Sequence, residues 1–408
     1  NFITWLYASR KLQPSILTDV GLNPRHRLCD DVSCYYKTTL QMTMKLYILT
    51  FLTTISSLTL LGQSDDTWTS FWNKDTTLLG YKDKNDIVKI QPKFAGLTSA
   101  SKFDNIIAVS EETNGKWHSY YLTKSGKVIG RDSLHIFDNG ADCESEGFIR
   151  FRDSKTDKVG MFDRNGKVVV PAIYNGLTRV RNGMIIGLRG AEKKYWDKHK
   201  ESGCNHFSWT GGQEVLIDTM NNILVENFKY DKSLNFFTVE KTNAPHSDTT
   251  RKSFFAIDGS YYSFVEFESE FRQWITKELL NDLTVERLVG ISYDTITWES
   301  TNGWAKTDKQ KLISENFTIL KTGLQEILQP KTDYFISSDG LNPFMYEGVE
   351  FENYYNNCGE PKDWIYPTMS IVISHGTKKD FSQNHYEFLR TDNGYKLISL
   401  TIRNEKMK

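Results

Sequence analysis

GYKDKNDIVKIQPKFAGLT, Gly80 to Thr98, and GMFDRNGKVVVPAIYNGLT, Gly160 to Thr178, align without a gap at an offset of 80 residues. Gly80, Asp83, Gly96, Leu97 and Thr98 meet Gly160, Asp163, Gly176, Leu177 and Thr178. Midway between them, Tyr121 to Ile129 reads YLTKSGKVI, and its Gly126-Lys127-Val128 matches Gly166-Lys167-Val168. The period is therefore about 40 residues, a length typical of stacked repeat architectures. A fourth copy, Ile217 to Val225 (IDTMNNILV), follows an insertion at 191–213, and a degenerate fifth is Phe255 to Tyr262 (FAIDGSYY).

Each copy has the same physical content. A short apolar strand ends in an Asp/Asn/Gly turn, and a β-branched strand such as Lys167-Val168-Val169-Val170 leaves it. Asn165-Gly166 is a hairpin signal, because both residues tolerate positive φ at small cost. Pro92 or Pro171 is expected to stop the strand by withholding an N–H. Phe94 or Tyr174 then anchors a core, Gly96 or Gly176 turns the chain, and a second strand such as Met184-Ile185-Ile186 closes the unit. One hairpin cannot bury its own apolar face, so neighbouring units must share an interior, with Val168, Tyr174 and Ile223 facing it.

Residues about 79–268 resemble the WG-repeat family of bacterial envelope proteins, whose unit runs from an apolar-Gly pair through D-x-x-G-K-x-V-I-P to an aromatic and a Gly. Here Leu79-Gly80 and Val159-Gly160 stand in place of the family's Trp-Gly. The resemblance implies a β-repeat array, open sheet or propeller-like, and no shared catalytic role.

Composition agrees. Aromatics make up 13% of the 408 residues, with 24 Phe and 20 Tyr, which favours pleated surfaces. Basic and acidic residues balance at 50 against 51, without the basic stripe that nucleic-acid binding requires. Among the five cysteines, Cys29 and Cys34 lie far upstream, and no pair has C-x-x-C spacing. Cys143, Cys204 and Cys358 read first as partly buried thiols, with one disulfide as the alternative.

Met44 to Gln63, MKLYILTFLTTISSLTLLGQ, has the layout of a secretory signal peptide: Lys45, an apolar run, then Gly62 before a polar stretch. The expected location is extracytoplasmic, periplasmic or secreted, or membrane-anchored through residues 44–61 if they stay uncleaved. Residues 1–43 read as an upstream extension, with the start at Met44 (or Met42). The repeat domain spans 64–268. Its insertion, Ala191 to Gln213, holds His199, Cys204 and His206, a weak zinc set without a fourth ligand. The insertion reads as a solvated loop and the foremost partner-contact element.

A smaller α+β domain is expected over 269–408. Phe271, Trp274, Ile275, Leu279 and Leu283 recur at helical spacing. Ile291 to Trp298 reads as a strand with Ile291, Tyr293, Thr295 and Thr297 on one face. Asp308 is a candidate N-cap for a long helix with the stripe Leu312, Ile313, Phe317, Leu320, Leu324, Ile327 and Leu328, ended by Pro330. Strands at Ser370 to Ser374, Tyr386 to Arg390 and Tyr395 to Arg403 follow, the last two joined by a turn at Thr391 to Gly394. An irregular aromatic loop, Phe344 to Tyr366, precedes them. The order resembles the nuclear-transport-factor-two-like (SnoaL-like) cone, which implies a pocket between sheet and long helix. Fold alone assigns no activity.

The candidate acid–base set is His375 and His385 with Asp380. No nucleophile elbow, metalloprotease helix or phosphate loop accompanies it, and no cofactor is implied. The reading is an exported binding or interaction protein whose partner is an envelope protein or a glycan. The alternative is a small-molecule enzyme, a hydrolase or isomerase, with its pocket in the C-terminal cone.

Overall fold

Among the described residues, five turns of one kind punctuate the repeat region. In each, the backbone N–H of a first residue donates to the carbonyl four positions on, and the residue three positions on donates back. The first residues are Asp83, Thr123, Asp163, Asp218 and Ala256, and all ten hydrogen bonds measure 2.8–3.1 Å. The returning donors, Asp86, Gly126, Gly166, Asn221 and Gly259, have φ between 60° and 85°. Only Gly, Asn and Asp reach that region readily, which explains the turn composition read from the sequence. Asn165 itself keeps a negative φ, so Gly166 alone carries the left-handed residue of its turn. The aligned aspartates have one task. Asp83 Oδ1 accepts from the N–H groups of Asn85 and Ile87, and Asp163 Oδ1 from those of Asn165 and Lys167. Asp218 Oδ1 does the same for Met220 and Asn222.

The computed structural model describes residues 66–137, 140–195, 207–229, 231–377 and 379–408. The expected signal segment at 44–63 and the upstream residues 1–43 lie outside them. Residues 66–408 make one compact unit. It is mostly β, with antiparallel sheets that include a curled half-barrel, and the helices come late in the chain. Among the described residues no helix is long and apolar enough to cross a membrane.

Pro92 and Pro171 do not stop their strands. Val88–Phe94 and Val168–Tyr174 run through them, and the extra residues are taken up in a bulge against Leu79–Lys82 and Val159–Asp163. The bulge brings the backbone of the second strand onto a glycine of the first. A Cβ at Gly80 would stand 2.5 Å from the Ile90 carbonyl oxygen, and one at Gly160 would stand 2.7 Å from the Val170 carbonyl oxygen and 2.6 Å from the Phe151 ring on its other side. These are the glycines of the repeat's apolar-Gly pair, and close approach is the reason for them. The aligned threonines also match in role: Thr98 Oγ1 accepts from Ser110 N–H and Thr178 Oγ1 from Ile186 N–H, both at 2.9 Å.

Neighbouring hairpins share their cores. Tyr81 and Phe94 of the first bury with Ile107, Val109 and Tyr120 of the second. The opposite face of that second hairpin, Ile106, Ala108 and Tyr121, buries with Ile149 and Phe162 of the third. Met161, Val170 and Tyr174 continue onto Ile185, Val215 and Ile217. Ile186 and Leu216, on the reverse side, meet Phe228, Phe236 and Phe264. Each middle strand is thus apolar on both faces, and each large side chain so buried contributes about 1.5–3 kcal/mol. Tyr174 is 3% exposed, as expected, and Ile223 packs at the edge of its cluster. Val168 is a correction: it is 48% exposed, because a register shift between it and Val170 breaks the alternation, and Val170 enters the core instead.

Helix α1 (Phe267–Gln273) begins the C-terminal part and passes into π and 3-10 turns, all on one apolar stripe that includes Phe271, Ile275, Leu279 and Leu283. After α2 (Val285–Gly290) come two paired strands, Ser292–Ser300 and Gly303–Asp308. Helix α3 (Lys309–Gln325) is capped as the sequence suggested, Asp308 Oδ1 accepting from Lys311 N–H at 3.0 Å. Leu328 departs from its stripe and is exposed. Strands Tyr334–Asp339, Thr368–His375, Ser382–Thr391 and Gly394–Thr401 complete a six-stranded sheet, in which only Ser292–Ser300 and Gly394–Thr401 run parallel. Ile291 lies in the turn after α2 and packs on the helical side, whereas Tyr293 packs on the other, so the two do not share a face.

Residues 344–366 are a strap. Phe351, in a 3-10 turn at Val349–Tyr354, and Tyr346 cover Leu389 and Ile398 on the sheet face opposite α3. The strap then reaches the repeat array. Asn357 O accepts from Ser101 and Lys102 N–H, and its Nδ2 donates to Asp104 at 2.7 Å. Cys358 forms a disulfide with Cys143. The reading of these two as thiols is therefore wrong: a sequence separation of 215 hides a pairing that only the strap's return brings together.

Candidate binding groove

The candidate acid–base residues are dispersed. His375 and Tyr386 face α3, while His385, paired with Val372, points to the opposite face of the sheet. Asp380 is exposed in the turn between their strands. The carboxylate beside His375 is that of Glu326, 3.7 Å from Nδ1, and His375 Nε2 is buried without a hydrogen-bond partner. Burial, with Arg403 nearby, pushes the pKa of His385 down. The layer between sheet and α3, where a cone would hold its pocket, is filled by Leu312, Ile313, Leu320 and Leu324 against Ile371, Ile373 and Phe388. His199, Cys204 and His206 lie outside the described residues. Among those described, no group of three or more His, Cys, Asp or Glu side chains could hold a metal ion.

The insertion's arms form a hairpin, Glu192–Tyr195 with Phe207–Thr210. The Lys193 ammonium stands 4.2 Å from the Phe207 ring centre and 5.6 Å from that of Trp209.

Where the strap meets the array, charge is buried. Asp142 accepts from Arg150 Nε at 3.0 Å, Nη2 at 2.5 Å and backbone N–H at 2.9 Å, and from Arg179 Nε at 2.9 Å. Burial works to raise its pKa, but the two guanidinium groups outweigh burial and hold the carboxylate well below the usual range. Arg179 reaches on to Glu360 of the strap, which Asn356 also holds. Alongside, burial and the Arg150 charge push His135 down to about 4. Tyr121 Oη accepts the backbone N–H of His135 and donates toward the Arg150 carbonyl at 2.7 Å. The Asp142 carboxylate is fully engaged by these partners, so the cluster fastens the strap rather than presenting a reactive group.

A surface groove offers groups to a ligand. Its volume is about 310 Å3, and its lining is Gly96, Leu97, Ser110, Trp117, His118, Ser119 and Asp132. The hairpin Ile106–Thr113 with Lys116–Thr123 forms one wall, closed by a tight Asn114-Gly115 turn at positive φ. Register sets Ser110 opposite Ser119, Glu111 opposite His118, and Glu112 opposite Trp117. Gly96, at φ 60°, passes beneath the indole, since a Cβ there would lie 3.6 Å from Trp117 Cζ3. Trp117 is 57% exposed. Asp132 also lines the groove, and its N–H donates to the Ser119 carbonyl at 2.9 Å, which ties its backbone to the wall. Behind the wall, Lys93 pairs with Glu111 at 3.0 Å and Arg131 lies over the Tyr120 ring.

Sequence reasoning missed this groove. Gly96 was visible through the repeat, but Trp117, Ser119 and Asp132 belong to no motif, and only the sheet register assembles them.

Comparison with protein-family models, curated proteins and solved structures finds no match to this chain.

Proposed function

We propose that this chain is an exported β-repeat binding protein whose ligand sits in the Trp117 groove. The observation that carries the reading is an exposed indole, fixed on a hairpin buried behind it, beside two serine hydroxyls and Asp132. That is the composition of a recognition site: an apolar platform with a few orienting polar groups. Support for export comes from the Cys143–Cys358 disulfide, since such bonds persist in oxidising compartments, together with the signal-like segment 44–63. The fivefold turn and the glycines beneath the bulges support kinship with the WG-repeat proteins.

The test is an equilibrium binding screen of the purified protein against envelope proteins and cell-wall glycans, repeated with Trp117→Ala. A partner lost on that substitution supports the reading, and silence across both classes overturns it. The second reading, a small-molecule hydrolase or isomerase, draws on the Glu326–His375 pair alone. It requires turnover that His375→Ala abolishes.

A further inference from the structure

We infer that the ligand of the Trp117 groove is a neutral oligosaccharide, held by stacking of a pyranose ring on the indole. This rests on the binding reading above and specifies its chemical class. A pyranose presents two kinds of surface: an apolar face of C–H bonds and a rim of hydroxyls that donate and accept. The groove presents the same two kinds. Trp117 supplies a flat apolar face, backed by Gly96 and Leu97, and its indole N–H is a donor. Around it stand the Ser110 and Ser119 hydroxyls, on the Trp117 face of the hairpin, and Asp132 from the following segment.

The Asp132 carboxylate enters no ion pair or hydrogen bond among the described residues, and the same holds for the Ser119 hydroxyl. A carboxylate accepts two hydroxyl donors side by side, the arrangement that adjacent sugar hydroxyls offer.

Charge decides between ligand classes. Apart from His118, the lining carries one formal charge, the negative charge of Asp132. No Lys or Arg lines the groove: Lys93 pairs with Glu111, and Arg131 lies over the Tyr120 ring on the far face of the hairpin. A polyanion, whether nucleic acid or an acidic polysaccharide, needs cations in its path and would meet a carboxylate instead. A purely apolar ligand would leave the polar rim desolvated and unpaired. A neutral sugar satisfies both surfaces. The volume of about 310 Å3 is at the lower end for small-ligand sites, suited to one or two sugar rings of a longer chain.

The experiment is isothermal titration of the purified protein against neutral oligosaccharides (hexamers of β-1,4-linked glucose and of N-acetylglucosamine, and a wider neutral glycan array). Oligogalacturonate serves as the anionic comparison. Binding to at least one neutral glycan is expected, with no binding to oligogalacturonate. Trp117→Ala should weaken affinity at least tenfold, Trp117→Phe should restore part of it, and Asp132→Asn should weaken it severalfold, all at an unchanged unfolding midpoint. If no neutral glycan binds but an envelope protein does, and Trp117→Ala abolishes that contact, the saccharide inference is overturned while the groove remains the binding site. Equal affinity for oligogalacturonate also overturns it. If nothing binds, or if bound glycan is indifferent to Trp117→Ala, both readings fall.

Discussion

Replacing Gly160 by alanine should destabilise the protein, and replacing Gly176 should not, although both glycines recur in the same repeat alignment. The added methyl at Gly160 would stand 2.6 Å from the Phe151 ring and 2.7 Å from the Val170 carbonyl oxygen. Phe151 cannot swing aside freely, because it stacks on Phe162 at 4.2 Å, and the carbonyl belongs to the bulged strand. Overpacking of this kind costs about 1–3 kcal/mol. At Gly176 a Cβ meets nothing within 4 Å and φ is not positive, so alanine there costs nothing sterically. It should instead gain about 0.4–1 kcal/mol by restricting the unfolded chain. Urea unfolding followed by far-ultraviolet circular dichroism reads both. A Gly160→Ala protein within about 0.5 kcal/mol of the parent would refute the argument that the bulge requires a bare backbone. Equal losses at Gly160 and Gly176 would refute it as well.

Other outcomes follow from the same geometry. Reducing the Cys143–Cys358 bridge, or substituting both cysteines with serine, should cost about 2–5 kcal/mol by the same urea assay, and no loss would show that the strap is held without it. His135, whose ordinary value is 6.5, is held near 4 by burial, so the unfolded chain takes up a proton that the folded one refuses. Its contribution is full above pH 6.5 and is lost as pH falls toward 4. Between pH 7 and pH 4.5 the loss is about 2.5 kcal/mol, which His135→Phe should remove from the pH slope of stability. Asp163→Ala should cost about 0.5–2 kcal/mol, because two turn N–H groups lose their acceptor, whereas Asp163→Asn should keep most of that stability.

Much of the fold was legible because repeats restate local chemistry. The offset between Gly80 and Gly160 carried the hairpins, the Asp turns, and Phe94 and Tyr174 as core anchors, while helical spacing carried Asp308 as a cap. Alternation was harder to read. Val168, Val169 and Val170 look alike in sequence, and only the register shift between Val168 and Val170 decides that Val170 enters the core. The prolines misled for the same reason, since a bulge accommodates what a regular ladder rejects. The strap was invisible: its aromatic residues have no period, and Cys143, Asp142, Arg179 and Glu360 meet only after the chain has passed through the whole array. The groove was equally hidden, because Gly96, Trp117 and Asp132 come from three different segments. Such sites are set by register and crossover, which local pattern does not encode.

The most direct measurement is a crystal structure of the protein with whichever ligand the binding screen retains. Density stacked on the outer face of Trp117, with polar contacts to Asp132 and Ser119, is the predicted result. Density in the C-terminal sheet beside His375 or His385, with the groove holding only solvent, would contradict the account.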